Sequence, residues 1–159
     1  MTTVVDTSAL LALLYPDDEH NDRAATLLAK AASDGRLAAN PVVYAELAAD
    51  STFSDRADLD YFLEDTGIAV DAVPESAWFR AGDAFGRYLD RRGDDLECSA
   101  CGHATTHDCP ECGRTITARQ HIAADFLIGA HAEAVGSLLT FDDGFYRDYF
   151  DTPIRTVAD

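Results

Sequence analysis

Between Val4 and Tyr15 the chain reads VVDTSALLALLY, and no other stretch limits its possible folds as much. Two β-branched residues lead into Asp6, and an apolar run at helical spacing follows. The pattern predicts a buried strand, an acid at its carboxyl end and then a helix capped by Thr7 or Ser8. A strand that is apolar throughout suits a parallel sheet covered on both faces. In such sheets, ligands bind just beyond the carboxyl ends of the strands. Asp6, delivered to that edge, is therefore a candidate functional residue.

The same alternation continues along the chain. Helical spacing from Asn21 to Ser33 sets Ala24, Leu27, Leu28 and Ala31 on one side, and Gly35 ends the run. A short strand over Arg36–Ala39 precedes Asn40-Pro41, read as an N-cap with proline at the first helical position. That helix carries Glu46. Further helices are expected at residues 57–65, 75–92 and 118–134, and strands at 67–73, 137–140 and 154–157. Strands alternating with helices predict an α/β fold, a short parallel sheet flanked by helices. The 159 residues suit a single domain spanning 1–159.

A formal net charge of −17 with 47% hydrophobic residues describes a globular acidic chain. Lys30 is the only lysine. Abundant aspartate, small alanines and almost no lysine resemble proteins of salt-loving organisms, in which acidity serves solubility. No apolar run is long enough to span a membrane, and no signal peptide is visible. The expectation is a cytoplasmic protein without a membrane partner.

Most of the 29 acidic residues belong to solvated surface. Four have apolar neighbours. Asp6 follows Val4 and Val5, Glu46 lies among Val42, Val43 and Leu47, Asp125 sits in HIAADFLIGAHA, and Asp142 follows Leu138, Leu139 and Phe141. A buried carboxylate needs a metal ion or a cationic partner, and few arginines lie nearby in sequence. Four such oxygens suit Mg²⁺ or Mn²⁺ and, through them, phosphoryl transfer. Ser8 and Thr140 adjoin the acids and are candidates for orienting them.

The pieces VVDTSALLALL, NPVVYAEL, ADFLIGAHA and LLTFDDGFYRDYF resemble the PIN-domain nucleases, in particular the VapC-like toxin subgroup. The resemblance covers most of the chain, apart from a cysteine-bearing segment. It puts Asp6, Glu46, Asp125 and Asp142 on the family's acidic metal-binding positions and Thr140 on its hydroxyl position. Asp143 is the weaker candidate for the last acid. The resemblance implies a Mg²⁺- or Mn²⁺-dependent endoribonuclease that leaves 3′-hydroxyl and 5′-phosphate ends. It also implies a homodimer and a small antitoxin that plugs the site. Two other readings remain open. One is a non-catalytic RNA-binding module. The other is a PIN nuclease of ribosomal RNA maturation, although in those the zinc ribbon follows the domain.

The interruption, residues 96–117, holds ECSACGHATTHDCPECGRTI. Cys98 and Cys101 form one C-x2-C pair, Cys109 and Cys112 another, and Gly102 and Gly113 follow them. Four thiolates at this spacing predict a structural Zn²⁺ site with no open position. A redox dithiol pair or unliganded thiols are the alternatives. Arg91, Arg92, Arg114 and Arg119 flank the segment. They either contact an RNA backbone or pair with Asp90, Asp94 and Asp95. His20 is expected in solvent and His131 in packing, while His121 lies one turn before Asp125.

Overall fold

The computed structural model describes residues 1–91, 96–97, 103–116 and 123–156. The elements in chain order are β1 (Thr2–Val5), α1 (Thr7–Leu14), α2 (Asn21–Asp34), β2 (Arg36–Ala39), α3 (Pro41–Leu47), α4 (Arg56–Asp65), β3 (Ile68–Val70) and α5 (Glu75–Arg91). Next come two short strand pairs, β4 (Leu96–Glu97) with β5 (Ala104–Thr105) and β6 (His107–Asp108) with β7 (Thr115–Ile116). The chain closes with α6 (Ala123–Val135), β8 (Gly136–Leu139), α7 (Asp143–Tyr149) and β9 (Ile154–Arg155).

Five strands form one sheet in the order β3-β2-β1-β8-β9, and every pairing is parallel. The chain winds outward from β1 through β2 to β3 on one side, and β8 and β9 continue the sheet on the other. The winding direction therefore reverses between β1 and β8, and the crevice at their carboxyl ends is where such sheets bind ligands. In register, Val5 lies opposite Leu139, so Asp6 and Thr140 leave the sheet side by side. Thr3 and Ser137 share a buried hydroxyl bond of 2.9 Å between the same two strands.

The strands are apolar because helices cover both faces. Val4, Val5, Ala38, Ala39, Leu138 and Leu139 are wholly buried. Removing one such aliphatic side chain from water contributes about 1.5–3 kcal/mol. Helix α6 packs on α5 and on β1. It runs into β8, so its first turn, with Asp125, lies at the carboxyl edge of the sheet. Phe126, one residue on, is 1% exposed and touches the rings of Phe85, Tyr88, Phe145, Tyr149 and Phe150. Gly129 is required beside them, because an added Cβ would lie 2.4 Å from the Phe150 ring.

The borders of α2, β2 and α4 match expectation to within a residue or two, whereas α3 ends at Leu47, three residues short of the run VVYAELAAD. Asn40 caps α3, accepting from the amides of Val42 and Val43 at 2.9 and 3.1 Å. Three differences stand out. Asp6 itself caps α1, accepting from the Thr7 amide. Strand β3 is shorter than residues 67–73. Helix α7 is not among the helices expected from the sequence. Among the described residues, no helix is long and apolar enough to cross a membrane.

Candidate functional site

Asp6 anchors the carboxyl edge. Its amide donates to the Leu139 carbonyl at 2.9 Å, which continues the β1–β8 ladder by one step. Its carboxylate is 5% exposed and collects donors from two chain segments. Oδ1 accepts from the Thr7 amide at 2.8 Å, and Oδ2 accepts from the hydroxyls of Ser8 and Thr140, each at 2.7 Å. Those bonds pull the carboxyl towards ionisation, but burial outweighs them and holds its pKa above the ordinary carboxylate value. Ser8 and Thr140 each also accept an amide from the loop after β8. Phe141 donates to Ser8 at 3.1 Å, and Asp142 donates to Thr140 at 3.0 Å. Both hydroxyls thus link Asp6 to the loop after β8.

The other three acids come from separate elements. Glu46 projects from α3 and accepts a short hydrogen bond from the Thr7 hydroxyl. Asp142 lies exposed just before α7. Asp125, in the first turn of α6, is half-buried, and its pKa is pushed up to about 7. Burial is the main cause, followed by the negative charges of Asp6, Glu46 and Asp142. Among the described residues, no arginine or lysine is one of the main causes of the shift of Asp6 or of Asp125. Asp143 opens α7, but its side chain falls outside those described.

Two contributors escaped the sequence reading. Thr7 bridges Asp6 and Glu46, with its amide on one and its hydroxyl on the other. Tyr146, on α7, is 1% exposed and approaches Asp6 closely enough to favour the charged carboxylate. The only local signal for Thr7 was a hydroxyl next to an acid. Tyr146 looked like one more aromatic residue in an apolar run.

The donors are hard oxygens without a cation among them, and they fit Mg²⁺ or Mn²⁺ better than softer metals. Among the described residues, no three His, Cys, Asp or Glu side chains close into a ready-made metal cage. The four acids share one electrostatic field rather than one tight shell.

Of the four cysteines, Cys98 and Cys101 lie outside the described residues, as do Gly102, Arg92, Arg119 and His121. Cys109 and Cys112 are unbridged. The Cys109 thiol is drawn below its ordinary pKa by the Cys112 amide first, and then by the Glu111 amide and the Cys112 thiol. The turn closes with the Gly113 amide on the Cys109 carbonyl at 2.8 Å, with Gly113 at φ +69°. Arg91 approaches Asp148 at 3.7 Å and lies over the Tyr149 ring, and Arg114 is exposed. His20 is not simply solvated, because its ring meets Phe141 edge-on at 5.5 Å beside the acid pocket. His131 is buried, as a packing residue should be.

A model of the PIN domain matches residues 3–150. The chain belongs to the PIN-domain family. Solved structures share its fold. VapBC2 from Rickettsia felis, bound to a DNA fragment from its promoter, superposes with a TM-score of 0.63 at 17% identity, covering 98% of both chains. VapC20 from Mycobacterium tuberculosis, a toxin that cleaves the sarcin-ricin loop, gives 0.53 at 18% identity, covering 94% of this chain and 96% of its own. No curated protein matches the chain. The PIN fold accounts for the parallel sheet and the reversal beside β1. The match ends at Phe150, so β9 lies beyond it.

Proposed function

We propose that this PIN domain is a Mg²⁺- or Mn²⁺-dependent endoribonuclease and the toxin of a toxin–antitoxin pair. The observation that carries the reading is Asp125, whose pKa is raised to about 7 by burial and by Asp6, Glu46 and Asp142. Carboxylates held together against their own repulsion are a natural seat for a divalent ion. When bound, the ion supplies an activated water and steadies charge on the phosphate oxygens. Asp6, Glu46, Asp125 and Asp142 hold it, while Ser8, Thr140 and Thr7 orient the carboxylates. The water would give up a proton as it adds to phosphorus, and the O3′ would take up a proton as the P–O3′ bond breaks, leaving a 3′-hydroxyl and a 5′-phosphate. The cleaving toxin VapC20 and the VapBC2 complex support an RNA substrate and a small antitoxin partner. A homodimer in the cytoplasm belongs to the same reading.

Cleavage of cellular RNA in Mn²⁺, with and without chelator, tests the assignment. Asp6→Asn and Asp125→Asn should each abolish cleavage, and cleavage that survives both would refute it. The rival reading, RNA binding without cleavage, draws on the open spacing of the acids. RNA retained by a protein that never cuts would favour it.

The segment 96–117 is proposed as a zinc-binding insertion held by Cys98, Cys101, Cys109 and Cys112. Its support is the turn at Cys109, where backbone amides point at a thiol that favours ionisation. One zinc per chain after purification without chelator is expected, and none would overturn it. The net charge of −17 is read as an adaptation to salt. A melting temperature that does not rise in molar KCl would count against that.

A further inference from the structure

We propose that Tyr146 is a positioning residue of the acid pocket, whose buried hydroxyl donates a hydrogen bond to the hydration shell of the divalent ion held by the carboxylates. The inference rests on the metal-ion reading above. Tyr146 is 1% exposed, and its ring packs edge-on against Phe145 at 5.2 Å and near Phe150 at 6.4 Å. Its hydroxyl makes no hydrogen bond of good geometry among the described residues. Buried tyrosine hydroxyls normally find a partner, and an unmet donor is unfavourable. Phenylalanine would fill the same apolar slot without that cost, so packing does not explain the oxygen.

What surrounds the hydroxyl does explain it. The groups acting on it are Asp6, which lies within reach though without good hydrogen-bond geometry, and Asp125 and Asp142, all of them acceptors. Asp6, the nearest, already takes three donors, from Thr7, Ser8 and Thr140. A carboxylate offers about four acceptor positions. The remaining one is the position an ion would use, so Tyr146 cannot share it once the ion is bound. The phenol proton must then go to an oxygen that arrives with the ion. Mg²⁺-like ions commonly retain several waters in protein sites, and a fixed donor would hold one of them.

Tyr146→Phe tests this by calorimetric titration of chelator-treated protein with Mn²⁺, and by melting curves with and without the ion. Without Mn²⁺, the variant should melt close to the wild-type temperature, because it loses only a poorly aligned approach to Asp6. Its dissociation constant for Mn²⁺ should rise roughly tenfold, the usual scale for partners just outside a metal's ligands, and the thermal upshift by Mn²⁺ should shrink accordingly. An unchanged dissociation constant would overturn the proposal. So would a variant that melts well below wild type without the ion, since the hydroxyl would then already have a protein partner. Wild-type protein that fails to bind Mn²⁺ would overturn the metal-ion reading itself, and that result appears before any variant is compared.

Discussion

Thr140 Oγ1 donates to Asp6 Oδ2 at 2.7 Å across 134 residues of chain, and neither side chain is more than 5% exposed. The bond ties the end of β8 to the end of β1 where the sheet's winding reverses. Thr140 also accepts the Asp142 amide, so one hydroxyl sets the aim of two acids.

Replacing Thr140 with valine keeps the shape and removes both bonds. Leaving a buried carboxylate and an amide short of a partner should cost about 1–3 kcal/mol. The donor favours the charged form of Asp6, so the loss should be larger at pH 8 than at pH 5. Urea unfolding at the two pH values, with chelator present, measures the difference.

Asp125 gives the ion-free protein a pH dependence of definite sign. Its folded pKa of about 7 lies above the ordinary aspartate value of 3.8. Between those values the folded state holds a proton that the unfolded chain has lost. Its contribution to stability therefore falls as pH rises from about 4 to 7 and stays low above. The advantage of Asp125→Asn over wild type should therefore grow between pH 5 and pH 8.5 by about 1–2 kcal/mol, after allowing for solvent screening. Chelator-treated samples unfolded in urea at both pH values test it, and equal stability at both would contradict the shared field of the acids.

Arg80 fastens the support of α7. Its guanidinium pairs with Glu133 at 2.6 Å, donates to the Tyr149 carbonyl and lies 4.8 Å from the centre of the Phe150 ring. Glu133 also accepts the Asp151 amide at 2.8 Å. Arg80→Ala and Glu133→Ala should each cost about 1–2 kcal/mol. The double variant should lose less than the sum, because each single change strands the other's partner. A double-mutant cycle that adds up cleanly would show the pair to be independent.

Gly129→Ala probes the packing of α6 against Phe150. The new methyl would stand 2.4 Å from the ring. Alanine favours the helix by up to about 1 kcal/mol, whereas overpacking typically costs about 1–3 kcal/mol. Net destabilisation is expected, read as a lower melting temperature. Phe150→Leu in the same chain should restore part of it.

Local chemistry was legible where neighbours in sequence are neighbours in space. Asn40-Pro41 announced α3, Gly35 ended α2, and the apolar run after Asp6 made α1. No such local signal marked α7, whose Phe145 and Tyr149, with the following Phe150, pack against Phe126 from a distant helix.

The sequence by itself determined the alternation of strands and helices, and it marked four acids as misplaced among apolar residues. Only the tertiary structure decided that their charges act on one another, that Thr7 joins Asp6 to Glu46, and that the buried hydroxyl of Tyr146 lies beside Asp6. Helix caps and apolar periods arise within a few residues of chain. Convergence arises from parallel register and crossover connections, which bring together side chains up to 134 residues apart.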